Sequence, residues 1–368
     1  MSVTLLQAQV VNRLDAGADK RERFAGIIGD RPSQYAKSPS LWNAVFKALE
    51  LDATYLAFDV DEPKLKGLCD ALRGSERLLG CNVTVPYKVK ILEYMDDLDP
   101  KARGIGAINT IVRTDDGRLI GYNTDGSGFL RTLTTPLLAG ETPLLPDPKG
   151  TDVLMIGSGG SARAVAFYLA DAIGTGTLTI ANRTASAATA LADEVQKTGV
   201  RVRAIGEADI PRAAGSVGLV VNCSTKGQAG IRKLGGGQVT VLEPYSALAP
   251  ATPATFPEAD ASAAADFQRR WFAGSLADIE RNNHASAEIV SRMAPAAVAY
   301  DLVYAPLETV FLRHCRLAGH RTANGKGMNI AQAVDALFTK VCHGWFERLG
   351  LATPASEQRI VRVMSEVW

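Results

Sequence analysis

Residues 151–174, "TDVLMIGSGGSARAVAFYLADAIG", read as a short apolar strand, a glycine-rich turn and a helix with apolar residues at helical spacing. Within the turn, Gly157, Gly159 and Ala162 fall at the three small positions of a GxGxxG/A pattern, with Ser158, Gly160 and Ser161 between them. The pattern is meaningful because a strand precedes it and a helix follows. The first glycine permits the tight turn, the second admits a pyrophosphate to the backbone, and alanine at the third allows close helix packing. The helix N-terminus adds unpaired N–H groups and partial positive charge. A dinucleotide fits this combination, and the end of the next strand, "TLTIANRT" (177–184), selects which one. An NAD site usually offers a carboxylate there, whereas this chain has Asn182, Arg183 and Thr184. An arginine pairs with a 2′-phosphate. NADP(H) is therefore the expected cofactor, with NAD(H) as the alternative.

Outward from this turn, "VGLVVNCSTKG" (217–227) and "AVAYDLVY" (297–304) read as later strands of the same sheet. The stretch from Thr134 to Gly150 carries Pro136, Pro143, Pro146 and Pro148, a composition suited to a connection between domains. Residues 235–295 are rich in Ala and Pro and read as a flexible insertion, within which "DFQRRWFAGSLADIERN" is compatible with a helix.

The N-terminal half is a second α/β pattern. "FAGIIGD" (24–30), "TYLAFDV" (54–60) and "LLGCNVTV" (78–85) read as strands, separated by the helices "SPSLWNAVFKALEL" and "PKLKGLCDALR". Ser38 is the expected N-cap of the first helix, with Pro39 at its first position. Pro86 stops the third strand because it has no amide hydrogen to donate. Lys88 follows at the start of "YKVKILEYM", whose apolar spacing predicts a helix, so its ammonium is placed at a strand-to-helix turn, where open α/β sheets keep their chemistry. Asp116-Gly117 between "GAINTIV" and "LIGYNTDG" is a hairpin signal, and Asp125 follows the second arm. The first 23 residues read as a loose extension. From Met328 onward the chain is strongly helical, able to return and cover the first domain.

The reading is thus α/β with two domains. Residues 24–133 plus 329–368 form an open α/β substrate domain. Residues 134–328 form a Rossmann dinucleotide-binding domain, with a cleft expected between the two.

Composition narrows the rest. Forty Lys and Arg stand against 39 Asp and Glu across 368 residues, which gives neither a nucleic-acid nor a membrane-surface footprint. No apolar run approaches the roughly 18 residues of a membrane span. Five cysteines without a CxxC pair fit reduced thiols in a cytoplasmic protein. Four histidines lack ligand spacing, so no metal site is expected.

The fragments "AKSP" (36–39), "NVTVPYK" (82–88), "GAINT" (106–110), "NTDG" (123–126), "GSGGSARA" (157–164), "NRT" (182–184), "YDLVY" (300–304) and "GMNIAQ" (327–332) resemble, in order and spacing, the shikimate/quinate dehydrogenase family. The resemblance implies interconversion of 3-dehydroshikimate and shikimate, or a close polyol carboxylate, with Lys88 and Asp125 as the catalytic pair. It further implies that Thr84, Asn109, Tyr304 and Gln332 bind ring hydroxyls and that Ser38 binds the carboxylate. Leu302 and Gly325 would approach the nicotinamide.

The partner is then a small hydroxy acid, and the protein a monomer or homodimer. Two positions depart from the family: Ala36 replaces a serine two residues before Ser38, and Ala187 replaces a second arginine after "NRT". Ser33, Gln34 and Ser40 are the polar side chains near enough in sequence to compensate for Ala36. The departures keep an NAD-dependent quinate dehydrogenase as the alternative. A non-catalytic ligand sensor is the alternative from another class, disfavoured by the intact Lys88 and Asp125.

Overall fold

The computed structural model describes residues 6–138, 140–262 and 264–368. It divides into two compact units. The first comprises the described residues up to Thr132, Pro136–Glu141 and Asn329–Trp368; the second comprises Leu133–Thr135 and Thr142–Met328.

In the first unit β1 (Arg23–Gly29), β2 (Ala53–Asp59), β3 (Leu78–Val83), β4 (Asp97–Leu98), β5 (Thr110–Arg113) and β6 (Leu119–Tyr122) form a six-stranded sheet in the order β2-β1-β3-β5-β6-β4. β1 runs parallel to β2 and β3, and β3, β5 and β6 are successively antiparallel. The β5–β6 connection is the hairpin expected at Asp116-Gly117. Both faces of the sheet are covered. One carries Phe58, Leu68, Leu72 and Ile91; the other carries Trp42, Phe46, Phe346 and Met364 from helices, among them Ser38–Ala48 and Pro354–Val367.

Three expectations need correction here. The segment before β1 is not loose: Leu6, Val10, Leu14 and Ala18 are buried in the core. Asn12 explains why. Its Nδ2 donates to the Ala57 carbonyl and its Oδ1 accepts from the Asp59 amide, both at 2.9 Å, so the segment satisfies the edge strand β2 as a further strand would. The helix expected after Lys88 shrinks to one 3₁₀ turn, Lys90–Tyr94, because Met95 is already extended. Ser38 is the first helical residue rather than the cap, which falls on Lys37 with no side-chain hydrogen bond.

In the second unit β7 (Val153–Ile156), β8 (Thr177–Asn182), β9 (Arg201–Gly206), β10 (Leu219–Asn222), β14 (Val298–Asp301) and β15 (Thr322–Ala323) form an all-parallel sheet in the order β15-β14-β10-β7-β8-β9. Read from β9, this is the doubly wound Rossmann order.

The segment 235–295 is not a flexible insertion. Most of β11 (Ile231–Lys233), β12 (Gln238–Val241) and β13 (Phe256–Pro257) lies in or beside it, forming a small antiparallel sheet. The 27-residue helix Ala264–Val290 packs on that sheet. Phe267, Trp271 and Ile279 bury one side of this helix against Val239, Val241 and Tyr245, and the Trp271 indole donates to Thr240 Oγ1 at 3.1 Å. The apolar stripe is real but is diluted by alanine, which conceals it in composition. Among the described residues no helix is long and apolar enough to cross a membrane, and no group of His, Cys, Asp and Glu is placed to hold a metal ion.

Candidate active site

The first unit gathers polar side chains at the ends of β3, β5 and β6. β3 stops at Val83, the Thr84 amide donates to the Ile28 carbonyl at 2.9 Å, and the chain turns through Pro86 to Lys88. The Lys88 carbonyl accepts from the Ile108 amide at 2.8 Å, which fixes the backbone. Lys88 Nζ then donates to Asp125 Oδ2 at 2.6 Å. Asp125 opens the helix Asp125–Thr134 where β6 ends, and its amide donates to Asn123 Oδ1 at 3.1 Å. The two side chains are 20% and 9% exposed, so water reaches the ammonium but little of the carboxylate.

Asn109 is the hub. Its Nδ2 lies 2.9 Å from Asp125 Oδ1, 3.0 Å from Thr124 Oγ1 and 3.2 Å from Gln332 Oε1, three acceptors for two hydrogens. Its Oδ1 accepts from the Thr124 amide at 2.8 Å and from the Thr110 hydroxyl at 3.0 Å. The network continues through Asn82, whose Nδ2 donates to Thr110 Oγ1 at 3.2 Å and whose Oδ1 accepts from the Tyr55 phenol at 2.6 Å. Burial pushes the Tyr55 phenol well above its ordinary range, while the Ser38 hydroxyl and Asn82 act the other way. Ser38, Asn109, Gln332, Asp125 and Lys88 are thus joined in one chain of contacts, with half-buried Thr84 beside it on the turn.

Ser33 and Ser40 do not stand in for Ala36. The Ser33 hydroxyl is spent on Asp59 Oδ2 at 2.5 Å and the Ser40 hydroxyl on the Lys37 carbonyl at 2.8 Å. Tyr55, Asn82, Thr110 and Thr124 were not assigned from the sequence. For Tyr55, Asn82 and Thr110 the available signal is a polar group inside a strand that otherwise reads as buried, whereas Thr124 lies in the turn after β6.

The second unit holds the glycine turn. Gly157 has φ +113°, and a Cβ there would lie 2.9 Å from the Cys223 carbonyl carbon, so only glycine suits the position. Gly159 caps the 14-residue helix Gly160–Ile173, and nothing lies within 4 Å of where a Cβ on Gly159 or Gly160 would project. Ala162 is fully buried, and Ser158 and Ser161 are half-buried. The turn is a cradle open in front and closed behind.

At the neighbouring strand end Asn182 Nδ2 donates to the Thr184 carbonyl at 3.0 Å, and Arg183 and Thr184 are exposed. A cavity of ≈190 Å³ brings Ser161, Cys223, Leu302 and Tyr304 together. Burial pushes the Tyr304 phenol up. Gly325 presses on Leu302: a Cβ on it would sit 1.9 Å from the Leu302 carbonyl oxygen.

Asp301, at the end of β14, accepts from Thr309 Oγ1 at 2.6 Å and from Asn222 Nδ2 and the Val303 amide, both at 2.9 Å. Burial nevertheless raises its carboxyl to about 7, against those three hydrogen bonds. This pair locks the ends of β10 and β14 together and was also unassigned from the sequence.

The residues present fit a phosphorylated dinucleotide. The cradle has room in front, a helix N-terminus faces it, and Arg183 has no ion-pair partner among the described residues.

Two family descriptions match the chain: "Shikimate dehydrogenase substrate binding domain" over residues 27–111 and "Shikimate / quinate 5-dehydrogenase" over residues 142–233. The chain is 34% identical to the shikimate dehydrogenase (NADP(+)) of Symbiobacterium thermophilum over 332 residues, covering 89% of this chain and 90% of that protein. It is 44% identical to the shikimate dehydrogenase (NADP(+)) of Methanopyrus kandleri over 196 residues, 52% of this chain and 63% of the relative. A solved shikimate 5-dehydrogenase from Thermus thermophilus, in complex with NADP(H) and shikimate, matches with a TM-score of 0.62 at 28% identity. That match covers 93% of this chain and 99% of the other.

Proposed function

The chain belongs to the shikimate and quinate dehydrogenase family, and from that premise we propose that it interconverts 3-dehydroshikimate and shikimate with NADP(H), Lys88 and Asp125 handling the proton. The observation that carries the assignment is the Lys88–Asp125 contact at 2.6 Å, with Asn109 bonded to the second carboxylate oxygen. An exposed surface pair is worth only ~0–1 kcal/mol and has no need of such support. Here the carboxylate is fixed by two partners while the ammonium keeps access to water.

When bound, the nicotinamide supplies or takes the hydride. In reduction the Lys88 ammonium gives a proton to the oxygen that becomes the alcohol; in oxidation the neutral amine takes it back. Asp125 orients Lys88 and stabilises its charge. Asn109, Gln332, Thr84 and Tyr304 bind the ring hydroxyls. Ser38, at the head of a helix, holds the carboxylate where N–H groups and partial positive charge favour an anion.

Gly157, Ser158, Gly159, Gly160, Ser161 and Ala162 receive the pyrophosphate. Arg183 pairs with the 2′-phosphate between Asn182 and Thr184, and Leu302 and Gly325 border the nicotinamide.

The test is nicotinamide absorbance with shikimate and quinate, each against NADP⁺ and NAD⁺. Shikimate with NADP⁺ is expected to give the highest kcat/KM. Absence of turnover with either acid would reject the substrate class, and a preference for quinate with NAD⁺ would transfer the chain to the quinate branch.

A further inference from the structure

β8 and β9 run side by side with Asn182 registered against Gly206, so the next residues, Arg183 and Glu207, leave the sheet together at one edge. Glu207 thus brings a carboxylate to the neighbourhood in which Arg183 is to meet a phosphate. Left to themselves the two would pair, withdrawing the guanidinium from any ligand and adding a charge that repels a phosphate. They do not pair. Glu207 instead accepts from Lys226 Nζ, and the side chains are 17% and 13% exposed. Lys226 also donates to the Ala249 carbonyl at 2.6 Å. That carbonyl is held in turn by Asn282 Nδ2 at 3.0 Å, from the long helix Ala264–Val290.

We propose that Lys226 is a positioning residue for cofactor choice: by occupying Glu207 it leaves Arg183 unpaired and the β8–β9 edge net positive, which admits a 2′-phosphorylated dinucleotide. The inference rests on the NADP(H) reading above. It also gives the segment 235–295 a purpose, since the Ala249 carbonyl, itself held by Asn282, is the lysine's second acceptor. Burial draws the Lys226 ammonium below its ordinary value, Glu207 opposes the fall and Arg183 adds to it, so the three charges act on one another. Asp278, also within electrostatic reach, is engaged with Thr252 and Arg281.

The experiment is calorimetric titration of the full-length protein with adenosine 2′,5′-bisphosphate and with ADP, which needs no turnover. Lys226→Met is expected to weaken the bisphosphate by about tenfold, equivalent to roughly 1.4 kcal/mol, and to leave ADP within about twofold. Lys226→Met combined with Glu207→Gln removes the competing carboxylate and is expected to restore most of the loss. Glu207→Gln alone strands no carboxylate, which keeps the test open should Lys226→Met fold poorly; it is expected to bind the bisphosphate at least as tightly as the parent.

Equal weakening of both ligands in Lys226→Met, no recovery in the double variant, or weaker bisphosphate binding by Glu207→Gln would each overturn the proposal while leaving the NADP(H) reading intact. A parent protein that does not favour the bisphosphate over ADP would overturn both.

Discussion

Lys88 and Asp125 illustrate how one contact serves two ends: the carboxylate is tied down by Asn109 and the Asp125 backbone by Asn123, so the ammonium is the free member of the pair. Lys88→Ala should lower turnover by about 10²–10⁴-fold, the usual value of a positioned proton donor. KM for the acid should change only a few-fold, because the proton is transferred in the transition state. Steady-state kinetics checks this, and an equal loss through KM would move Lys88 into substrate binding. Asp301 offers a pH test. Its folded carboxyl lies at about 7, above the unfolded value near 3.9, so the unfolded state releases its proton first as pH rises. The stability contributed by Asp301 is present below about pH 4 and lost as pH climbs through 7. Asp301→Asn keeps all three contacts if its amide donates to Thr309, and it does not titrate. The urea midpoint of the parent should fall relative to this variant between pH 4.5 and 7.5, and parallel curves would refute the shift. Lys88, Asp125 and Arg183 stand out in the sequence because their residue types and the turns bearing them are local. Asn82 and Tyr55 do not, because a polar residue in a buried strand announces no partner.

Among elements, the strand-turn-helix around Gly157 was the most legible, since each of its requirements lies within a short window. The glycines in and near it fail in different ways. Gly157→Ala and Gly325→Ala push a methyl onto backbone atoms at 2.9 and 1.9 Å. Backbone cannot step aside, so each should cost about 1–3 kcal/mol or more, Gly325→Ala the larger amount. Gly159→Ala meets nothing within 4 Å and has ordinary negative φ, so its thermal midpoint should match the parent. Its methyl occupies the mouth of the cradle, however, and NADP⁺ binding should weaken by at least about tenfold, or ~1.4 kcal/mol. Unchanged binding, measured by quenching of protein fluorescence, would remove the pyrophosphate from that turn. The helix Ala264–Val290 was hidden by its alanines, and the expected helix after Lys88 failed because Met95 turns extended one residue after Tyr94.

For the chain as a whole, the N-terminal segment is the clearest case of tertiary structure overruling composition. Leu6, Val10 and Leu14 are each at most 8% exposed, and burying a large aliphatic side chain is worth about 1.5–3 kcal/mol. Removing residues 1–20 should therefore lower the urea midpoint of the first unit by an amount equivalent to several kcal/mol and should promote aggregation through the uncovered edge of β2. Tryptophan fluorescence and light scattering would report the two effects, and a midpoint like the parent's would mean the segment contributes nothing. The sequence by itself determined the two α/β patterns and the dinucleotide turn, and it singles out Lys88, Asp125 and Arg183, because periodicity, turn residues and side-chain type act over a few neighbouring positions. Only the tertiary structure decided that Asn12 would complete the β2 edge across 45 residues, that Tyr55 would find Asn82 across 27, and that Lys226 would hold Glu207 across 19. A buried polar group takes whichever partner packing delivers, and packing is a property of the folded chain rather than of any segment.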